Sequence, residues 1–230
     1  MHSIPDVCDV ALVRGSRASA EPDLLLEVPH GATRAADFDA LQRVLRGSFP
    51  ADLREFFFVN TDVGAPELAR RVAELVVAAD ARRCVAVVRC ALPRTFIDCN
   101  RLIDADAAPR TSAAGQLTPG VHAWVREPDD LRLLLGRYRA YRELVEELCG
   151  RVCAAGGRAV MVHSYAPRSV DVPVDEHIVT SLRAAYAPER VASWPLRAPV
   201  DLIVDTPAGE RLAEDALVER VRASFVAAGF

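Results

Sequence analysis

Residues 24–31 read Leu24-Leu25-Leu26-Glu27-Val28-Pro29-His30-Gly31, a short apolar run closed by a proline and a glycine around a histidine. From Arg34 to Leu45 the spacing changes to that of a helix, with Phe38, Leu41 and Leu45 on one side. The unit is strand, loop, helix. It recurs downstream, where Phe56 to Val59 is a second β-prone run ended by Asn60-Thr61-Asp62. Pro66 to Ala79 then repeats Leu68, Val72, Leu75 and Val76 at helical intervals. Cys84 to Val88 is a third strand candidate, followed by the polar stretch Arg94-Thr95-Phe96-Ile97-Asp98-Cys99-Asn100-Arg101.

Beyond it, Asp104 to Pro128 is broken by Pro109, Gly115, Pro119 and Gly120 and reads as an exposed loop or lid. Asp129 caps a long amphipathic helix through Leu134, Tyr138, Tyr141, Val145 and Leu148 that ends near Gly156-Gly157. Ala159 to Val162 is a strand closed by His163-Ser164-Tyr165, Val200 to Val204 another, and Asp215 to Ala228 a final helix. The proline-rich stretch from Tyr165 to Pro199 reads as an insertion over one rim of the sheet. Alternating strands and helices predict a single α/β domain over residues 1–230. It would be three-layered, with a mostly parallel mixed sheet and helices on both faces.

Composition narrows the function. The chain has 230 residues, 51% of them hydrophobic and 26% charged, which is core-forming rather than disordered material. A formal charge of -4 supplies no basic field for nucleic acid. All 28 basic residues are arginine, so any single arginine carries less information than usual. Met1 to Gly15 lacks the basic and apolar regions of a signal peptide, and no uncharged apolar run reaches the roughly 18 residues of a membrane span. A cytoplasmic protein follows, with no membrane partner. Its cysteines (Cys8, Cys84, Cys90, Cys99, Cys149, Cys153) form no CxxC pair and read as reduced thiols. Cys149 and Cys153 face the same way on the long helix and read as small core residues.

In open α/β sheets ligands bind beyond the carboxyl ends of the strands. Three expected strand ends carry His30, Asp62 and His163, the donor types of a zinc site with a position left for water. The alternative for each is a loop residue hydrogen-bonded to its surroundings. His2, His122 and His177 read as exposed, and Glu176-His177 lacks the HExxH spacing. GxGxxG, GxxxxGK[ST] and GxSxG are absent, and no nucleophile is indicated, since neighbours His163 and Ser164 point to opposite sides. Arg94, Asn100 and Arg101 lie within eight residues and suit bidentate capture of a small carboxylate, with Asp98 orienting a guanidinium.

Pro29-His30-Gly31, Thr61-Asp62, Arg94-x-x-x-Asp98-x-Asn100-Arg101 and His163-Ser164 together resemble the N-formylglutamate amidohydrolase family, a branch of the zinc exopeptidase-like hydrolases. The resemblance runs from Leu24 to Tyr165, and its most specific part is the Asp-x-Asn-Arg tetrad. It implies a zinc exopeptidase-like fold and a zinc ion held by His30, Asp62 and His163, which acidifies water to a pKa of about 7. It also implies that Asn100 and Arg101 hold the carboxylate of a small N-acyl acidic amino acid while Arg94 polarises the scissile carbonyl. The carboxypeptidase-type H-x-x-E is missing, because Thr33 stands third after His30. Family members continue beyond a helix like Asp215 to Ala228 into a further strand and an acidic general base, whereas this chain ends at Phe230. The base is therefore unassigned, with Glu176 one acid available. A catalytically silent relative that binds a small carboxylate or metal, as a sensor or partner protein, is the alternative reading. The oligomeric state is left open.

Overall fold

A computed structural model describes residues 2–18, 21–104, 108–114, 116–206 and 208–230. The elements run β1 (Cys8–Arg14), β2 (Leu24–Val28), α1 (Ala35–Val44), α2 (Leu53–Val59), α3 (Ala65–Ala79) and β3 (Cys84–Cys90). They continue as α4 (Pro128–Ala154), β4 (Arg158–Met161), α5 (Ile178–Ala185), α6 (Pro188–Val191) and α7 (Asp215–Ala227). The chain is α/β. It divides into two compact units, Met1–Tyr165 with Asp171–Ala187, and Ala166–Val170 with Pro188–Phe230.

The first unit holds a four-stranded sheet in the order β1-β3-β2-β4. β2 pairs in parallel with β3 and β4, while β1 runs antiparallel to β3. The strand period of two sorts the side chains. Leu26 and Val28 of β2 and Val85 and Val87 of β3 pack against Ala65, Ala69 and Ala73 of α3, whose four-residue spacing lines small residues along one stripe. Leu25, Ala86 and Val88 face the other way and join Leu134, Tyr141, Leu148 and Val152 of α4 in the main core. Helices thus cover both faces. The exposed β4 forms one edge, and the residues that follow it, Val162 to Ser164, are half-buried.

Phe56 to Val59 is helix, not strand. A strand would bury alternate residues, but α2 buries Leu53, Phe56 and Phe57 at helical spacing and leaves Phe58 49% and Val59 55% exposed. Tertiary burial of one helical stripe overrides the β-propensity of the run. β1 was not foreseen, although its alternation around Asp9 and Ala11 carried the signal.

Two further expectations fail. The stretch from Asp104 to Pro128 is exposed over most of its described first half, as expected, but its later part is interior, with Val121, His122, Trp124 and Val125 buried and backbone bridges joining Ile97 to Val121 and Ser112 to Val174. The apolar run hidden among its breakers drives that burial. Residues 105–107 and Gly115 of this stretch lie outside the described residues. Val200 to Val204, in the second unit, forms no strand. Leu202 and Ile203 are exposed, and among the described residues no strand pairs with the segment. The same unit contains α6 and α7, the latter where the sequence places a helix. The irregular stretch from Tyr165 to Pro199 contains α5 and α6.

All six cysteines are free thiols. Cys149 is half-buried and Cys153 exposed, against the expectation of two core residues. The buried stripe of α4 ends on Leu148 and Val152, which leaves Cys149 at its margin and Cys153 beyond it.

Candidate metal centre and its arginine wall

Three loops bring His30, Asp62 and His163 together. Each offers one ligand atom, and those atoms lie within 4.8 Å of one another. His30 follows β2 and is 4% exposed. Its turn is tight, for a Cβ on Gly31 would stand 2.5 Å from Arg89 Cγ and 2.9 Å from the Val28 carbonyl. Arg89 braces the turn from β3, donating to the Gly31 carbonyl at 3.0 Å and pairing with Asp37 at 2.9 Å.

Asp62 arrives from the connection between α2 and α3 rather than from a strand end. Thr61 ties that connection to the His30 loop by donating its hydroxyl to the Ala32 carbonyl at 2.9 Å. Gly64, at φ 83°, takes the left-handed turn that starts α3. His163 follows β4, as the sequence reading has it. The Ser164 N–H donates to Asp62 Oδ2 at 3.2 Å, and the Ser164 hydroxyl donates to the Val63 carbonyl at 2.8 Å. His163 Nδ1 stands 2.9 Å from Asp62 Oδ2, and the two imidazoles meet edge to face at 5.0 Å.

Behind His30 lies Asp98, fully buried, with Oδ1 2.8 Å from His30 Nε2. The sequence reading has Asp98 orient a guanidinium, and it does, at 3.0 Å from Arg94 Nε. Its pairing with His30 went unread, because nothing in the spacing connects residues 30 and 98. That pairing engages Nε2 and leaves Nδ1 as a buried atom with no hydrogen-bond partner, 3.4 Å from Asp62 Oδ1. A buried lone pair beside a carboxylate, on an imidazole anchored from behind by a second carboxylate, is the carboxylate–histidine arrangement of metal sites. The donor set of two imidazoles and one carboxylate fits zinc.

The two carboxylates carry the charge that chemistry needs. Burial opposes ionisation of Asp62, yet the hydrogen bond from His163 and the adjacent His30 ring hold its carboxyl down to about 2. Asp98 is likewise disfavoured by burial but kept well below the usual carboxylate range by His30, Arg94 and Arg101. Burial works against a charged His30, and Asp62 and Asp98 outweigh it to push its pKa up. The acidic ligand is therefore ionised at neutral pH, as metal binding requires.

Arg94, Asn100 and Arg101 line up along Asp98. Arg94 donates from Nε to Asp98 Oδ2 and from Nη2 to Thr118 Oγ1 at 3.1 Å. Arg101 donates from Nε to the Thr118 carbonyl at 3.2 Å, from Nη1 to the Asn100 carbonyl and from Nη2 to Thr118 Oγ1. Among the described residues, two of the five N–H groups of Arg94 and three of those of Arg101 are hydrogen-bonded. The Asn100 backbone N–H goes to Asp98 Oδ1 at 2.9 Å. Thr118, which anchors both arginines, was hidden in the stretch read as a lid.

Two buried residues near this wall were also missed. Glu27, at the end of β2, accepts a hydrogen bond from the Tyr141 hydroxyl at 2.7 Å, and burial pushes its carboxyl up. His122, expected at the surface, is wholly buried and stacks flat on Trp124 at 4.4 Å. Glu176, considered as a base, is exposed and ion-paired to Arg126. His2 and His177 are exposed, as read.

Among the described residues no helix is long and apolar enough to cross a membrane. The model of the family described as N-formylglutamate amidohydrolase matches residues 22–228 of this chain. No curated protein and no solved structure matches it.

Proposed function

The chain belongs to the N-formylglutamate amidohydrolase family, and on that premise we propose that it is a zinc-dependent hydrolase of the acyl-amide bond in small N-acyl acidic amino acids, N-formylglutamate among them. The observation that carries the reading is the convergence of His30, Asp62 and His163 with Asp98 behind His30. His30 through Nδ1, Asp62 and His163 would hold the metal. The chemistry zinc supplies when bound is Lewis-acid activation of water and of the amide carbonyl.

The protein's own side chains do the rest. Asp98 accepts the His30 Nε2–H, fixing the tautomer and aiming Nδ1 at the centre. Through its other oxygen the same carboxylate holds Arg94. Arg94, so held, would then stabilise the oxyanion that develops as the carbonyl is attacked, without reorganising when it forms. Arg101 and Asn100 would hold the substrate carboxylate, fixing which amide faces the centre. Both arginines are preorganised by Thr118, so the distance between carboxylate and carbonyl subsites is set by one side chain.

The experiment is hydrolysis of N-formyl-L-glutamate by chelator-treated protein with and without added zinc, read as formate and glutamate released. Zinc-dependent release of both in equal amounts supports the reading. Tight binding without release makes the protein a silent carboxylate binder, and zinc-independent release removes the metal from the mechanism.

A further inference from the structure

On the solvent face of α4, Cys149 and Cys153 bring their sulfurs to 3.9 Å across one helical turn. The pair is too far apart at its base for a disulfide. Cβ atoms four residues apart on a helix stand about 5–6 Å from each other, whereas a disulfide needs roughly 3.5–4.5 Å. Closing that bond would distort the last turn of α4, which ends at Ala154. The sulfur separation instead suits a single atom bound by both. Two metal–sulfur bonds of about 2.3 Å opened to a tetrahedral angle span about 3.8 Å.

We propose that Cys149 and Cys153 form an exposed dithiol clamp for a thiophilic soft ion, separate from the His30 centre and independent of the hydrolase reading. Cys153 is exposed and Cys149 half-buried, so the clamp is open to solution from one side. Among the described residues no third histidine, cysteine or carboxylate closes with the pair into a three-ligand group. The occupant is therefore a soft centre that brings its remaining ligand with it, such as trivalent arsenic carrying one organic group, rather than zinc held by four protein ligands. Burial and the neighbouring Cys153 sulfur push the Cys149 thiol up. A soft centre binds by displacing the thiol protons. The other four thiols, Cys8, Cys84, Cys90 and Cys99, are buried and out of reach of a reagent in the folded protein.

Phenylarsine oxide is the probe, because it condenses with two thiols to give one dithioarsenite and one water, with arsenic staying trivalent. Intact-mass analysis of the native, reduced chain should show one phenylarsenic adduct that survives an equimolar monothiol and is stripped by excess dithiol. Cys149→Ser and Cys153→Ser should each abolish it with an unchanged helical circular-dichroism signal. Serine at the exposed 153 position leaves the core untouched, so loss of the adduct there reports the clamp and not unfolding. No adduct on the wild-type chain, or an adduct that persists in Cys153→Ser, would overturn the proposal.

Discussion

Asp98 Oδ1 and His30 Nε2 meet at 2.8 Å inside the protein, joining residues 68 positions apart. The contact couples the metal centre to the arginine wall, since the other Asp98 oxygen holds Arg94. Asp98→Asn removes the charge that orients His30 and frees its ring to take the other tautomer. Metal affinity should fall about 10- to 100-fold, as for other partners of ligating histidines. Competition with a chelator of known affinity measures it, and unchanged affinity would mean that Asp98 serves the arginines alone.

Arg101 and Arg94 should separate kinetically. Arg101→Ala should raise KM for acidic substrates more than for their amide analogues, while Arg94→Ala should lower kcat by about 10²- to 10³-fold, as expected for an oxyanion donor. Equal losses on both substrate classes would assign Arg101 a structural role.

Gly31 is held by contact rather than by backbone conformation. Gly31→Ala drives a Cβ into the Val28 carbonyl and the stem of Arg89, whose head is fixed by Asp9 and Asp37. The cost should be about 1–3 kcal/mol, the usual range for overpacking. A urea midpoint lowered at constant m would check it, and a midpoint equal to wild type would show that the turn gives way freely.

His122 makes folding sensitive to acid. Burial lowers its pKa from 6.5 to about 4. The unfolded chain therefore takes up a proton that the folded chain refuses. Its contribution is complete above pH 6.5 and is lost as pH falls toward about 4, amounting to about 3 kcal/mol at full effect. His122→Phe, which keeps the stack on Trp124, should flatten this part of the curve. Urea midpoints of both proteins at neutral pH and near pH 4 compare them, and identical pH dependence would contradict the assignment.

The parts legible in the sequence are those whose physics is local. β2, α3 and α4 follow from run length and helical spacing, and the glycine pair closes α4 where expected. His30 and His163 could be placed because each directly follows a strand. The helix α2 was misread because three adjacent phenylalanines satisfy strand propensity, and only the packed core shows which two are buried. Asp62 reached the site all the same, since a helix end and a strand end can deliver a loop to the same rim. Asp98 with His30, Thr118 between two arginines and Tyr141 on Glu27 are long-range pairings, and no sequence spacing encodes them.

The central claim is that His30, Asp62 and His163 hold a metal ion, and metal content of the purified protein tests it most directly. Wild type supplied with zinc should carry about one ion per chain, and His163→Ala should lose it while keeping its fold. A wild type without metal, or a variant that retains all of it, would contradict the account.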